Sequence, residues 1–95
     1  MIYVNIHLTV NDKADVEKVG KLLAEAGRLS RQEPGCARFE VYHSTADELR
    51  YFLCEHWESQ AAIDEHRKAK AYTTVYQPQV LPLVVREPHP STLIE

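Results

Sequence analysis

Residues 2–10 alternate without a break: Ile2, Val4, Ile6, Leu8 and Val10 against Tyr3, Asn5, His7 and Thr9. A period of two, rich in β-branched residues, is a strand with one buried face. Asn11-Asp12 stops it and supplies a cap for the next element. The period then changes. Over residues 13–32, Val16, Val19, Leu22, Leu23, Ala26 and Leu29 trace one side of an α-helix. Glu17 and Lys21 sit in the favourable acid-before-base order. Gly20 borders the apolar stripe, where a missing side chain permits close approach to a sheet. Pro34-Gly35 ends the helix.

Residues 36–43 and 49–57 read as two strands joined around Thr45-Ala46-Asp47-Glu48. Pairing Phe39 with Leu53 places Phe39, Val41, Leu49, Tyr51 and Leu53 on one face. Arg38, Glu40, Tyr42, Phe52 and Cys54 share the other. A sheet with one solvated face shows a sharper contrast than this, so the mixture points to a second face that is also covered, by another subunit. Ser59 caps a second helix with Ala62, Ile63 and His66 on its inner stripe. It runs on through Tyr72 and Val75 or Tyr76 and ends at Pro78. Residues 80–86 read as a last strand, with Pro82 at an edge. The order is β-α-β-β-α-β, an α+β ferredoxin-like arrangement, with no internal repeat. The whole chain, 1–95, is one domain, with a core of about 1–86 and a tail at 87–95. Leu93-Ile94 in that tail is a docking element for a neighbour.

Composition narrows the function classes. An apolar fraction of 44% and a charged fraction of 26% are ordinary for a folded domain. A chain this short buries a modest share of its surface, and pairing with a second copy is a common remedy. The net charge of -3 gives no footing for nucleic acid, and the basic run at Arg67, Lys68 and Lys70 reads as a solvated helix face. No apolar run approaches the ~20 residues needed to span a bilayer. With no basic leader or cleavage signature at Met1-Ile2-Tyr3, the expected location is cytoplasmic. Cys36 and Cys54 fall diagonally on neighbouring strands, poorly placed for a disulfide, and read as small buried side chains.

There is no phosphate-cradling glycine loop and no flavin or nicotinamide fingerprint. The histidines His7, His43, His56, His66 and His89 show no metal-ligand spacing. Any chemistry must come from isolated polar groups meeting in a pocket. Asn5 stands mid-strand, where Asn is disfavoured. It either anchors a ligand oxygen or is satisfied by a neighbour. His66 faces the sheet and either exchanges a proton near neutral pH or is a structural histidine. Trp57, at the strand–helix junction, either stacks on an aromatic ligand or anchors the core. Tyr51, Tyr72 and Tyr76 offer hydroxyls to a pocket or pack with exposed tips. Glu55 shares a face with Leu53 and needs a partner, structural or protonic. His7 shares a face with Asn5.

Several of these residues together resemble the antibiotic biosynthesis monooxygenase (ABM) family. Glu33-Pro34-Gly35-Cys36 before Arg38-Phe39 resembles its Pro-Gly turn into the second strand. Glu55-x-Trp57-x-Ser59, then Ala62 and His66, resembles its most recognisable signature, and Ala71-Tyr72 the small-aromatic pair after it. The likeness extends to about Arg86. It implies a homodimeric α+β barrel with a small pocket between sheet and helices in each subunit. It also implies a quinol-monooxygenase-like activity: oxidation of a small aromatic molecule, a quinol or phenolic compound, by O₂ with no cofactor, the substrate's anion supplying the electrons. On the resemblance, Asn5, Trp57, His66 and Tyr72 line or border that pocket, and His66 is the best candidate for proton transfer. A haem-opening branch pairs a first-strand Asn with a helix Trp and a His ten residues later. Asn5 fits it, but His66 and Tyr76 stand near the other two positions, which argues against haem degradation. A sugar-phosphate isomerase branch shares the fold, and a non-catalytic binding barrel is the remaining alternative.

Overall fold

The computed structural model covers residues 1–95. The first strand, β1 (Ile2–Val10), forms as its alternation predicts, with Ile6, Leu8 and Val10 buried and Asn5 exposed. The Asp12 carboxylate then accepts a hydrogen bond from the Ala14 amide at 2.9 Å. This caps a single 3₁₀ turn (Lys13–Asp15) that leads into α1 (Val16–Ser30). The helix buries Val19, Leu23, Ala26 and Ser30 against the sheet. At Gly20 an added Cβ would stand 2.5 Å from the Tyr51 hydroxyl, so the close approach read from the sequence is real.

The chain turns through Gly35 at φ 83°. A Cβ at Gly35 would also stand 2.5 Å from that of Ala62. Glycine is therefore required twice over, by conformation and by space. β2 (Cys36–His43) and β3 (Arg50–Trp57) follow as an antiparallel hairpin. The pairing differs from the expected one by two residues: Phe39 lies opposite Glu55, and Val41 opposite Leu53. A slip of two preserves every face, so Phe39, Tyr51, Leu53, Glu55 and Trp57 all turn to the helices. A one-residue irregularity lies between Cys36 and Arg38, at the start of β2. Both cysteines are free and half-buried rather than buried.

α2 (Gln60–His66) starts at Ser59, whose hydroxyl accepts from the Ala62 amide at 3.2 Å. The next segment departs from expectation. Pro78 does not end a helix but sits inside a wide π-helical stretch, Ala71–Val80, followed by a 3₁₀ turn at Leu81–Leu83 that contains Pro82. In an α-helix the Thr74 carbonyl would need the amide that Pro78 lacks. The Gln79 side-chain amide donates to that carbonyl instead, at 2.8 Å, and the wider winding lets the helix continue. We name this segment α3.

The last strand is consequently later than the sequence suggested. β4 runs Val84–Ser91 and takes in most of the expected tail. It pairs antiparallel with β1 at the sheet edge, in the strand order β2-β3-β1-β4. Pro88 and Pro90 alternate, so both missing donors fall on the same side, the free edge. Leu93 and Ile94 are exposed. The result is the ferredoxin-like α+β fold: one four-stranded antiparallel sheet with all helices on one face. No helix is long and apolar enough to cross a membrane.

Candidate functional site

The space between sheet and helices is not completely filled. A cavity of about 50 Å³ remains over β1 and β3, floored by Val4, Ile6, Phe39 and Leu53 and closed by α1, α2 and α3. Its walls are aromatic. The rings run Phe39, Trp57, His66, Tyr72, Tyr76. The Trp57 and His66 centroids are 4.5 Å apart, His66 and Tyr72 5.9 Å, and Tyr72 and Tyr76 5.6 Å. Tilted and edge-on contacts of this kind form a slot suited to a flat apolar guest. A benzene-sized guest needs a cavity of roughly 150 Å³, so one enters only if the rim yields. The rim side chains Arg67 and Arg86 are exposed and Tyr72 is half-buried, so all three can move without opening the core.

His66 is oriented. Its Nδ1 lies 2.7 Å from a Glu33 carboxylate oxygen, and both side chains are nearly buried. A carboxylate only accepts, so Nδ1 carries the proton and Nε2 is left as the acceptor of the neutral ring. The sequence carries the parts of this arrangement but not the contact. Gly35 lets α2 close on the turn through Ala62, and the Glu58 amide donates to the Gly35 carbonyl at 2.8 Å. That closure brings Glu33 under a histidine 33 positions away in sequence. A broader cleft of about 470 Å³ lies on the other side of the dyad, bordered by Glu33, Pro34, Ser59, Ala62, Glu65 and His66. Glu33 borders that cleft and not the inner cavity. The ring edge carrying Nε2 is therefore the one left for an inner guest.

Glu55 is the acid of the inner cavity. It is 6% exposed and accepts a hydrogen bond from the Trp57 indole N–H at 3.0 Å. Burial pushes its carboxyl above the ordinary range, opposed by the Trp57 hydrogen bond and by the charges of His66, Arg86 and Arg67. The Tyr76 hydroxyl accepts from Arg86 Nε at 3.1 Å. Burial raises that phenol to about 12, so it keeps its proton at neutral pH. The Ser30 hydroxyl also lines the cavity, fully buried and without a hydrogen-bond partner.

Of the residues singled out in the sequence, His66, Trp57, Glu55, Tyr72 and Tyr76 meet in this cavity. Tyr51 faces the helices but does not line it. Its hydroxyl donates to the Val16 carbonyl at 2.9 Å, and its ring stacks on His43. Asn5 and His7 lie on the opposite face of the sheet, because strand alternation sends odd residues of β1 away from Ile6 and Leu8. There the Asn5 amide donates to the Ser91 hydroxyl at 3.1 Å, tying β1 to β4. His7 packs edge-on against Phe52 at 4.9 Å. Asn5 is thus satisfied by a neighbour, and the first-strand Asn of the haem-opening pattern faces away from the cavity. Arg67, read as part of a solvated face with Lys68 and Lys70, instead lines the cavity rim. Sequence reasoning missed Glu33, Ser30, Arg67 and Arg86. Ser30 alone carried a signal, falling four residues after Ala26 on the buried stripe. No group of three or more His, Cys, Asp and Glu side chains gathers at metal-binding distance.

Solved structures with this architecture are numerous. A crystal structure described as an antibiotic biosynthesis monooxygenase superposes with a TM-score of 0.89 at 20% identity, covering 100% of both chains. A Nitrosomonas europaea protein assigned to the same class gives 0.85 at 21% identity, over 98% of this chain and 99% of the other. SnoaB of Streptomyces nogalater, a cofactor-independent oxygenase solved as a variant, gives 0.83 at 13% identity, over 99% and 93%. These likenesses concern the fold. No curated protein matches the sequence. The model of the antibiotic biosynthesis monooxygenase family matches residues 1–77, from β1 into α3. The chain belongs to that family.

Proposed function

We propose that this protein is a cofactor-independent monooxygenase acting on a small aromatic hydroxyl compound. The observation that carries the reading is the Glu33–His66 dyad set in an aromatic slot. His66 Nε2 takes the proton of the substrate hydroxyl, and the imidazolium is stabilised by the Glu33 carboxylate at Nδ1. The resulting phenolate is electron-rich and is held among Trp57, Tyr72 and Tyr76, away from bulk water. It reduces O₂ directly. For a hydroquinone the balance is C₆H₆O₂ + O₂ → C₆H₄O₃ + H₂O, giving a hydroxyquinone. The substrate supplies all the electrons, and one oxygen atom leaves as water. Family membership and the cofactor-independent activity of a structural relative support this reading.

The functional unit in this reading is a homodimer. The open sheet face presents Tyr3 against His56, His7 against Phe52, and Tyr42 exposed, a surface more aromatic than a solvated sheet normally shows. Light scattering at micromolar concentration checks it, and a monomer counts against the barrel.

The test of the activity is O₂ consumption with a panel of hydroquinones and anthrones, each set against autoxidation. His66→Ala, its fold verified by circular dichroism, is expected to lose about 10²-fold or more of the rate. Undiminished uptake removes His66 from the mechanism. A second reading is favoured by Glu55, a carboxyl in the same cavity whose burial favours the protonated form. A base and an acid together suit a proton-shift isomerase. No O₂ uptake, combined with a tightly held metabolite, would move the assignment there.

A further inference from the structure

The chain is acidic overall, with 14 Asp and Glu against 11 Lys and Arg, yet its cavity carries two guanidinium groups. Neither Arg67 nor Arg86 takes part in any of the molecule's ion pairs. The cavity's acid, Glu55, has one oxygen occupied by the Trp57 indole. Arg86 is anchored through a single nitrogen, Nε to the Tyr76 hydroxyl. That contact aims the guanidinium and leaves its terminal nitrogens free to form the paired hydrogen bonds that match a carboxylate. The fully buried, partnerless Ser30 hydroxyl is a further unused polar group in the same cavity. A buried hydroxyl without a partner is costly in the empty protein and is relieved by a polar guest.

The strand order separates these groups. His66 packs on Phe39 of β2 and Trp57 of β3, whereas Arg86 projects from β4, on the far side of β1. The base and the cation thus stand at opposite ends of the slot. Arg86 stands opposite Leu8 whereas Trp57 stands opposite Ile2, so the two groups are offset along the strands as well as across them. Arg86 lies beyond the residues that the family model matches.

From this placement we infer that the cavity is built for a hydroxyaryl carboxylic acid, its carboxylate held by Arg86 and its hydroxyl presented to His66. The inference rests on the functional reading above for the hydroxyl end alone. The carboxylate end is independent of what His66 does. Arg67, at the same rim, adds charge without a fixed contact.

Trp57 is the chain's single tryptophan and walls the cavity, so its fluorescence reports occupancy directly. The experiment titrates the whole protein, without O₂, with para-hydroxybenzoate and with its neutral isostere para-hydroxybenzamide. The acid is expected to bind about tenfold or more tightly than the amide, the worth of a charge-assisted pair. The preference should weaken with added salt and be abolished in Arg86→Gln. Equal affinity for acid and amide, no binding of either at millimolar concentration, or an acid preference that survives in Arg86→Gln overturns it. If Arg86→Gln does not fold, Arg86→Lys keeps the charge without the fork and should lose most of the preference. An undiminished preference in that variant counts against the paired contact. O₂ uptake is scored separately. Acid preference without uptake overturns the oxygenase reading and leaves the subsite standing, while uptake with neutral quinols and no acid preference does the reverse.

Discussion

The two faces of one sheet have opposite organisation. The helix-covered face holds Ile6, Leu8, Leu53 and Trp57, each 2% exposed or less, and beside them the titratable groups of the cavity. The open face carries histidine and aromatic pairs, Tyr3 with His56 and His7 with Phe52, with an Arg38–Glu40 ion pair at 2.7 Å. Both faces are drawn from the same strands, residue by residue in alternation. What separates them is enclosure. On the covered face a carboxylate is desolvated and a hydroxyl is orphaned; on the open face the same residue types remain half-wet and satisfied by neighbours. Burial raises the proton affinities of Glu55 and Tyr76 on the first face, whereas on the second the shifts of Glu40 and Tyr42 come from their hydrogen bonds to each other and to Arg38.

The largest effect that divides them is packing. Leu8→Ala should destabilise the protein by about 2–5 kcal/mol, because Leu8 is wholly buried and its removal leaves a cavity. Phe52→Ala, one strand over and facing the other way, should cost distinctly less per subunit in urea unfolding. It should instead make the assembly state depend more steeply on concentration. Equal losses in both variants at high dilution would mean that the open face is as much a core as the covered one.

Close approach is the next effect. Gly20→Ala places a methyl where the Tyr51 hydroxyl sits. Tyr51 must then give up its hydrogen bond to Val16 or α1 must lift. Overpacking of this kind costs about 1–3 kcal/mol. Gly20→Ala combined with Tyr51→Phe should recover part of it, which thermal melts of the single and double variants would show. No recovery would locate the strain elsewhere.

A smaller effect separates chemistry from architecture. Glu33→Gln keeps the size and a hydrogen-bonding oxygen for His66 Nδ1, but removes the charge that stabilises the imidazolium. The expected result is an activity loss of about tenfold with little change in melting temperature, and a displaced pH–rate profile. A lower melting temperature with an unmoved profile would make Glu33 a structural prop.

Much of this was legible in the chain. The alternation of residues 2–10 and the helical stripe of 16–29 were decided by periodicity, which local sequence carries fully. His66, Trp57 and Tyr72 were legible as pocket residues because a family motif groups them, and Tyr76 as a hydroxyl on the same segment as Tyr72. Asn5 was misplaced by the same motif, although its own alternation with Ile6 already put it on the wrong face. The C-terminal third was misread for a physical reason. Pro78 and Pro82 signal breaks in an α-helix, but a π-helical stretch with a side-chain cap on the Thr74 carbonyl accommodates the first, and a 3₁₀ turn the second. β4 with its prolines passed for a tail because an edge strand needs only every second amide. Glu33 and Arg86 were invisible because tertiary closure alone gives them their partners, His66 and Tyr76.

The smallest predicted effect tests the electrostatics of the covered face. Burial raises the Glu55 carboxyl above its ordinary 4.5. A group that holds its proton more tightly when folded contributes stability below the unfolded pKa and loses it as pH rises through the folded one. Ionisation of Glu55 is therefore a cost to the fold. Glu55→Gln can still accept from the Trp57 indole but has no charge to desolvate. The variant should match the parent in stability below about pH 4 and become the more stable of the two as pH rises above 4.5. Urea unfolding of both proteins at several pH values gives the difference directly. A difference of the opposite sign, the parent gaining on the variant as pH rises, would mean that the charges of His66, Arg86 and Arg67 outweigh burial. Glu55 would then be an ion-pair partner of the cavity's cations, and the free positive charge that the Arg86 subsite requires would already be spent.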